Sequence, residues 1–159
     1  LDVADYRTFF KGKPPLRDEE DRLAVVEAVA SGLIDIICSM HTPQDEESKR
    51  LPFEEAASGA VGLETLLPAA MRLVHAEMMD LPTLWRALSL NPAKRLGLPG
   101  GRIAVGAPAD MVLFNPDAPF VLDRATLRSK SRNTPFDGMR MQGKVVATYV
   151  AGSCVYEAN

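Results

Sequence analysis

Residues 18–44 pass through four signals whose order narrows the choice of fold: an acidic helix start, a glycine stop, a short apolar run and a polar loop. Pro14 and Pro15 hold the approach extended. Asp18, Glu19, Glu20 and Asp21 gather where a helix N-terminus favours negative charge. Leu23, Val26, Val29 and Ala30 follow at spacings of three and four, forming one apolar face, and Gly32 is placed to end the helix. Residues 33–37 (LIDII) are too few for a helix and rich in β-branched side chains, with Asp35 the one polar intrusion. Helix, glycine and buried strand in that order predict an αβ unit of a parallel sheet. The predicted strand opens into CSMHTPQ, residues 38–44. Strand ends of this kind are where α/β enzymes keep their chemistry. Yet Met40, at the heart of this loop, is a soft gap-filler with no acid–base use and weak affinity for hard metals.

The rest of the chain divides near residue 100. The stretch from about 38 to 59 reads as a long charged loop, with Asp45, Glu46, Glu47, Lys49 and Arg50, and long ordered loops are usually functional. A helix is predicted over 59–77, with Leu63, Leu66, Leu67, Ala70, Met71 and Val74 on its apolar face and Pro68 in its first turns. His75 sits near its end, where it complements the helix dipole. Residues 80–98 predict two short helices, with Pro82 and Pro92 in their first turns, Asn91 as a cap and Gly97 as a stop. Beyond Gly100 the runs ADMVLFN, PFVLD and GKVVATYVAGSCVYE predict β structure, with Ala151-Gly152 as a tight hairpin between 145–150 and 153–157. The expected organisation is α/β over 1–99 and a small β region over 100–159.

Several classes of function are disfavoured. The chain has 159 residues, one domain's worth, and a net charge of −3, which gives no broad attraction to nucleic acid or an anionic membrane. No run approaches the ~18 apolar residues of a membrane span. The N-terminus lacks the features of a signal peptide and an initiator Met, as expected of a processed chain or a segment of a longer one. Cys38 and Cys154 lack CxxC spacing and suit a reducing cytoplasm. GLPGGRIAVG has no strand-to-helix context, and neither Ser39 nor Ser58 lies in a GxSxG elbow. His41 and His75 are the only histidines, too few for a His-rich zinc site from this chain alone.

Three stretches in order, KGKPPLRDEEDR, CSMHTPQDEESKRLPFEEAASGAVGLETLLP and NPAKRLGL…GRIAVGAPADMVLF, followed by LRSKSRNTPFDGMRMQGKVVATYVAG, resemble the C-terminal portion of a dihydroorotase of the amidohydrolase superfamily. The resemblance runs over essentially the whole chain. It implies the last units of a metal-containing (β/α)8 barrel over 1–99, with 33–37 as its final strand, and the C-terminal share of a β-sandwich over 100–159. The family reaction is the reversible cyclisation of N-carbamoyl-L-aspartate to dihydroorotate in pyrimidine synthesis. Its zinc-binding His-x-His, bridging lysine and two later histidines would lie upstream, so this chain is expected to hold no zinc by itself. The N-terminal remainder of the protein is its first expected partner, and the chain is expected to fold stably only with that remainder or another chain.

Laid on the family pattern Asp-His-Ala-Pro-His, Met40 stands where the resemblance implies a zinc-binding Asp that acts as general base and acid. His41 and Pro43 match, and Gln44 replaces the second histidine. Lys13 stands for a substrate-contacting Asn, and Ala57-Ser58-Gly59 for a Pro-Phe-Gly whose backbone touches substrate. Lys13, His41, Ala57 and Gly59 are therefore the candidate substrate contacts; for His41, a purely structural loop-capping role is the alternative. No catalytic residue is assigned. The expectation is a dihydroorotase-like protein with lost or altered catalysis. The alternatives are a non-catalytic scaffold supporting aspartate transcarbamoylase, an active enzyme that recruits another base, and, more distantly, hydantoin or allantoin ring opening.

Overall fold

The computed structural model describes residue 3 and residues 5–158. Helix α1 (Glu19–Ala30) starts where the acidic cluster predicts: the Asp18 carboxylate accepts from Asp21 N at 2.9 Å, with Glu19, Glu20 and Asp21 in the first turn. Gly32, at φ +80°, follows its end. Val26 and Val29 reach the core, whereas Leu23 and Ala30 stay exposed, so half of the predicted apolar face is used.

Residues 33–37 are a correction. The segment bends at residues 33–34 and belongs to no strand, and Leu33 is 82% exposed. Its backbone is tied at Ile34 N, which donates to Ala28 O at 2.9 Å, at Ile37 N, which donates to Ala87 O at 3.1 Å, and at Asp35 O, which accepts from a side chain rather than from a strand. A strand is made by the N–H and C=O groups of a neighbouring strand, and no described segment runs beside this one. The nearest approach to parallel pairing is a single bridge between His41 and Ala60.

The predicted loop is interrupted by α2 (Glu46–Lys49), capped by Asp45, which accepts from Ser48 N at 2.8 Å. The acidic-then-basic order of 45–50 is a helix signal in miniature. Helix α3 (Leu66–His75) begins later than predicted, after Thr65, and leaves Leu63 exposed outside it. Pro68 lies in its first turn, where a missing N–H costs no helical bond. The next stretch is one continuous helical run rather than two helices: α4 (Leu81–Trp85), a π-helical turn (Arg86–Leu90) and α5 (Asn91–Leu96). Asn91 is no cap; its backbone is helical (φ −68°) and its side-chain amide donates to Asp35 O at 2.9 Å. Pro92 lacks the N–H that would reach back four residues, and the wider π turn accommodates that loss. Gly97, at φ +66°, ends the run as predicted.

Strands β1 (Met111–Val121), β2 (Arg140–Val150) and β3 (Ser153–Glu157) form an antiparallel sheet in that order. The two predicted runs ADMVLFN and PFVLD share β1, joined across a register shift between Asn115 and Pro119. Ala151 (φ +49°) and Gly152 (φ +81°) make the predicted two-residue turn. The sheet lies against α3 at Gly143, where a Cβ would stand 3.0 Å from Met71 Cγ. Around Met71 and Leu84 gather Val26, Val29, Ala70, Met79 and Ala87; a smaller cluster joins Val61, Leu122, Leu127 and Met141.

Leu84 is fully buried at the centre of the larger cluster. Leu84→Ala is expected to lower stability by roughly 2–5 kcal/mol, read from the urea midpoint. A loss well under that range would contradict this placement of the core.

Candidate functional site

The loop 38–44 takes its shape from a tight turn and from the segment 59–63 beside it. Met40 adopts the left-handed region (φ +48°), uncommon for a non-glycine residue, and its side chain is half-exposed. Thr42 Oγ1 donates to Met40 O at 3.0 Å, and His41 N to Ser39 Oγ at 3.3 Å. Thr42 N donates to Ala60 O at 2.9 Å. Two glycines permit the approach. A Cβ on Gly62 would stand 2.2 Å from Ser39 O, and one on Gly59 (φ +133°) 2.4 Å from Thr42 O. Both are backbone oxygens with nowhere to go.

His41 lies across this junction. Its Nδ1 accepts from Gly62 N at 3.1 Å and, more weakly, from Leu63 N at 3.4 Å. This arrangement assigns the neutral ring's proton to Nε2. The capping role weighed for His41 is therefore present, with one donor left over for another group.

Three further residues organise the loops, and none was singled out from the sequence. Asn133 is 2% exposed. Its side chain donates to Gly59 O at 3.2 Å and accepts from Gln44 N at 3.2 Å, and its carbonyl accepts from Val61 N at 3.1 Å. One buried amide thus joins the loop 38–44 to the glycine segment. Lys49, 1% exposed, donates from Nζ to Thr8 O (3.0 Å) and Lys11 O (3.2 Å). Lys11 O also accepts from Gly59 N at 2.9 Å, while Lys11 Nζ donates to Phe53 O (2.7 Å) and Glu54 O (2.9 Å). Among the described residues no carboxylate pairs with Lys49; burial, and then the Lys11 charge, hold its pKa below the ordinary lysine range. The signals were faint: Asn133 sits in RSKSRNTPF, and Lys49 looked like one more loop charge.

The candidate residues are brought together unequally. His41, Gly59 and Met40 share the junction. Ala57 lies two residues from Gly59, its N–H donating to Ser48 O at 3.0 Å. Lys13 is exposed and makes no hydrogen bond among the described residues. The donor set falls short of a metal site: the loop offers the Cys38 thiol, a thioether and an imidazole whose Nδ1 is already engaged, and no carboxylate joins them. Among the described residues no three His, Cys, Asp or Glu side chains converge on a metal-sized site. Residues 38–44 contain no carboxylate, and Asp45 is committed to capping α2. The loop can therefore present backbone groups, the His41 Nε2–H donor and the Cys38 thiol, but no carboxylate base.

Comparison with known proteins gives a consistent outcome. The amidohydrolase family model matches residues 13–155. A dihydroorotase of Desulforapulum autotrophicum is 44% identical over 155 residues, 98% of this chain and 36% of that protein. One from Wolbachia sp. subsp. Drosophila simulans is 42% identical over 154 residues, 97% of this chain and 35% of its own length. Among solved structures, an L-hydantoinase from Arthrobacter aurescens superposes with a TM-score of 0.90 at 32% identity, covering 98% of this chain and 36% of that one. A dihydropyrimidinase from Brevibacillus agri superposes with a TM-score of 0.86 at 25% identity, over 94% of this chain and 34% of that one. The chain thus spans little more than a third of the length of the relatives it matches.

Gly62→Ala tests the close approach. The added methyl meets a backbone oxygen, so a loss of about 1–3 kcal/mol is expected, against little change for Ser58→Ala as a control in the same segment. Equal urea midpoints for wild type and Gly62→Ala would contradict the geometry.

Lys49 makes a pH-dependent prediction. With its folded value below the ~10.4 of a free lysine, the unfolded chain binds more protons between the two values, so Lys49 gives a stability contribution that rises with pH. It is complete above the unfolded value and lost as pH falls through the folded one. Comparing urea midpoints of wild type and Lys49→Met from pH 7 to 10.5, the balance should move steadily toward wild type. A difference that does not vary with pH would contradict it.

Proposed function

The chain belongs to the amidohydrolase family, and from that premise we propose that it is the C-terminal portion of a dihydroorotase-like protein whose strand-end chemistry is lost or altered. On this reading 1–99 supplies the last units of a (β/α)8 barrel and 100–159 its share of a β-sandwich. Residues 33–37, unpaired in this chain, take their neighbours from the N-terminal remainder. The observation that carries the proposal is Met40. It occupies a left-handed backbone position that Asp and Asn tolerate far better than methionine. The turn keeps a shape suited to an acid while the side chain can neither exchange a proton nor balance a metal's charge. In the family pattern the residue here binds zinc and moves both protons, so one substitution removes two functions. Lys13, Gln44 and the Ala57–Gly59 segment depart from the same pocket.

The named relatives support this substrate class: dihydroorotases match at 42–44% identity over nearly the whole chain. The L-hydantoinase likeness supports the fold and the wider class of cyclic-amide ring opening, but its 32% identity ranks hydantoin chemistry second. A non-catalytic scaffold supporting aspartate transcarbamoylase is the reading that a lost base favours. Zinc, where the whole protein holds it, draws on ligands outside this chain. Cys38 and Cys154 are both exposed and unpaired, which suits a reducing cytoplasm. No helix among the described residues is long and apolar enough to cross a membrane.

The test is turnover of the full-length protein with zinc supplied and aspartate transcarbamoylase present. Dihydroorotate formation from N-carbamoyl-L-aspartate is expected to stay at background, since one placed acid–base group contributes roughly 10²–10⁴-fold. Met40→Asp alone is expected to restore little, because the neighbouring departures remain. Robust metal-dependent turnover by the unmutated protein would overturn the proposal, and co-sedimentation with the transcarbamoylase would favour the scaffold form of it.

A further inference from the structure

Helix α3 and strands β1 and β2 border an open cleft of about 460 Å3 that shares no residue with the loops 38–63. Arg72 and His75 enter it from α3, Arg140 and Gln142 from β2, beside the apolar surfaces of Pro119 and Met141. Among the described residues no acidic side chain lines it. Neither Arg72 nor Arg140 forms an ion pair among the described residues, and His75 Nε2 lies 3.7 Å from Asp117 Oδ1, a weak contact with a largely exposed carboxylate. Placement in the last turn of α3 accounts for Arg72 and His75 as complements of the helix dipole. It does not account for Arg140, which comes from a strand and faces the same space.

The exposed Arg72 and Arg140 line one concavity and have no ion-pair partner among the described residues, so an anion seated there can meet both guanidinium groups. The planar guanidinium fork matches phosphate and carboxylate oxygens in pairs. The volume falls within the ~300–1,000 Å3 of small-molecule sites, and apolar walls with a few convergent polar groups are their usual composition. We propose that this cleft binds a small organic anion: a phosphate or carboxylate carried on an apolar or aromatic body. The charged end meets Arg72 and Arg140, and the apolar body lies against Pro119 and Met141. The proposal stands apart from the activity of the loop 38–44 and survives if that reading fails.

The experiment is calorimetric titration of the full-length protein with phenyl phosphate, benzoate and, as the neutral analogue, phenol. Saturable binding of at least one anion is expected, with phenol at least about tenfold weaker. A response to phenyl phosphate alone identifies a phosphomonoester site; a response to benzoate as well identifies a general anion site. Arg72→Gln and Arg140→Gln should each weaken binding about tenfold or more. Both arginines are exposed, so each variant should keep the wild-type circular dichroism and melting temperature without ligand. No saturable anion binding, equal binding of phenol, or anion affinity unchanged in both folded variants would overturn the proposal.

Discussion

The arrangement of the candidate site depends on one backbone approach, that of Gly62 to the carbonyl of Ser39. Any side chain at 62 would put its first carbon 2.2 Å from that oxygen. With glycine there, the segment 59–63 can lie along the loop 38–44 and exchange hydrogen bonds with it. The His41 ring then receives Gly62 N, the Thr42 amide reaches Ala60 O, and Asn133 spans Gly59 and Gln44. Each contact satisfies a backbone group that burial would otherwise leave costly.

The same logic extends outward through lysines rather than carboxylates. Lys11 O takes hydrogen bonds from Gly59 N and Lys49 Nζ, and Lys11 Nζ in turn holds Phe53 O and Glu54 O. Segments 8–12, 45–49 and 53–59 are thereby joined by ammonium groups donating to carbonyls. Burying Lys49 without an acid is unfavourable electrostatically, and the carbonyls recover part of that cost. The framework around the loop is complete in hydrogen bonds among the described residues, with no buried side-chain donor or acceptor unsatisfied. What the loop lacks is a carboxylate. Shape and chemistry are separable here: the turn at Met40 persists with a residue poorly suited to its backbone.

Much of the local structure was legible in the sequence because its signals are short-range. The acidic start of α1, the stops at Gly32 and Gly97, and the Ala151-Gly152 turn each rest on a few adjacent residues. The failures are of another kind. LIDII carries a strand's composition, but strands exist only in pairs, and composition does not supply the partner. Asn91 looked like a cap because Pro92 follows it, whereas the π turn absorbs the proline and frees Asn91 to bind Asp35 O. Of the site, Met40, His41 and Gly59 were legible through a matched motif. Asn133 and Lys49 were not, because their roles come from contacts 89 and 41 residues away along the chain.

The central claim is that this loop is held by contacts to His41, Gly59, Gly62 and Asn133, independent of any metal. Hydrogen exchange of the full-length protein tests it directly, by following the amides of Thr42, Gly59, Val61 and Gly62 with and without a strong chelator. These amides should be equally protected in both conditions, because each has its acceptor within the chain: Ala60 O, Lys11 O, Asn133 O and His41 Nδ1. Loss of protection at these four positions on chelation, with the core helices unchanged, would show that a metal shapes the loop and would contradict the account.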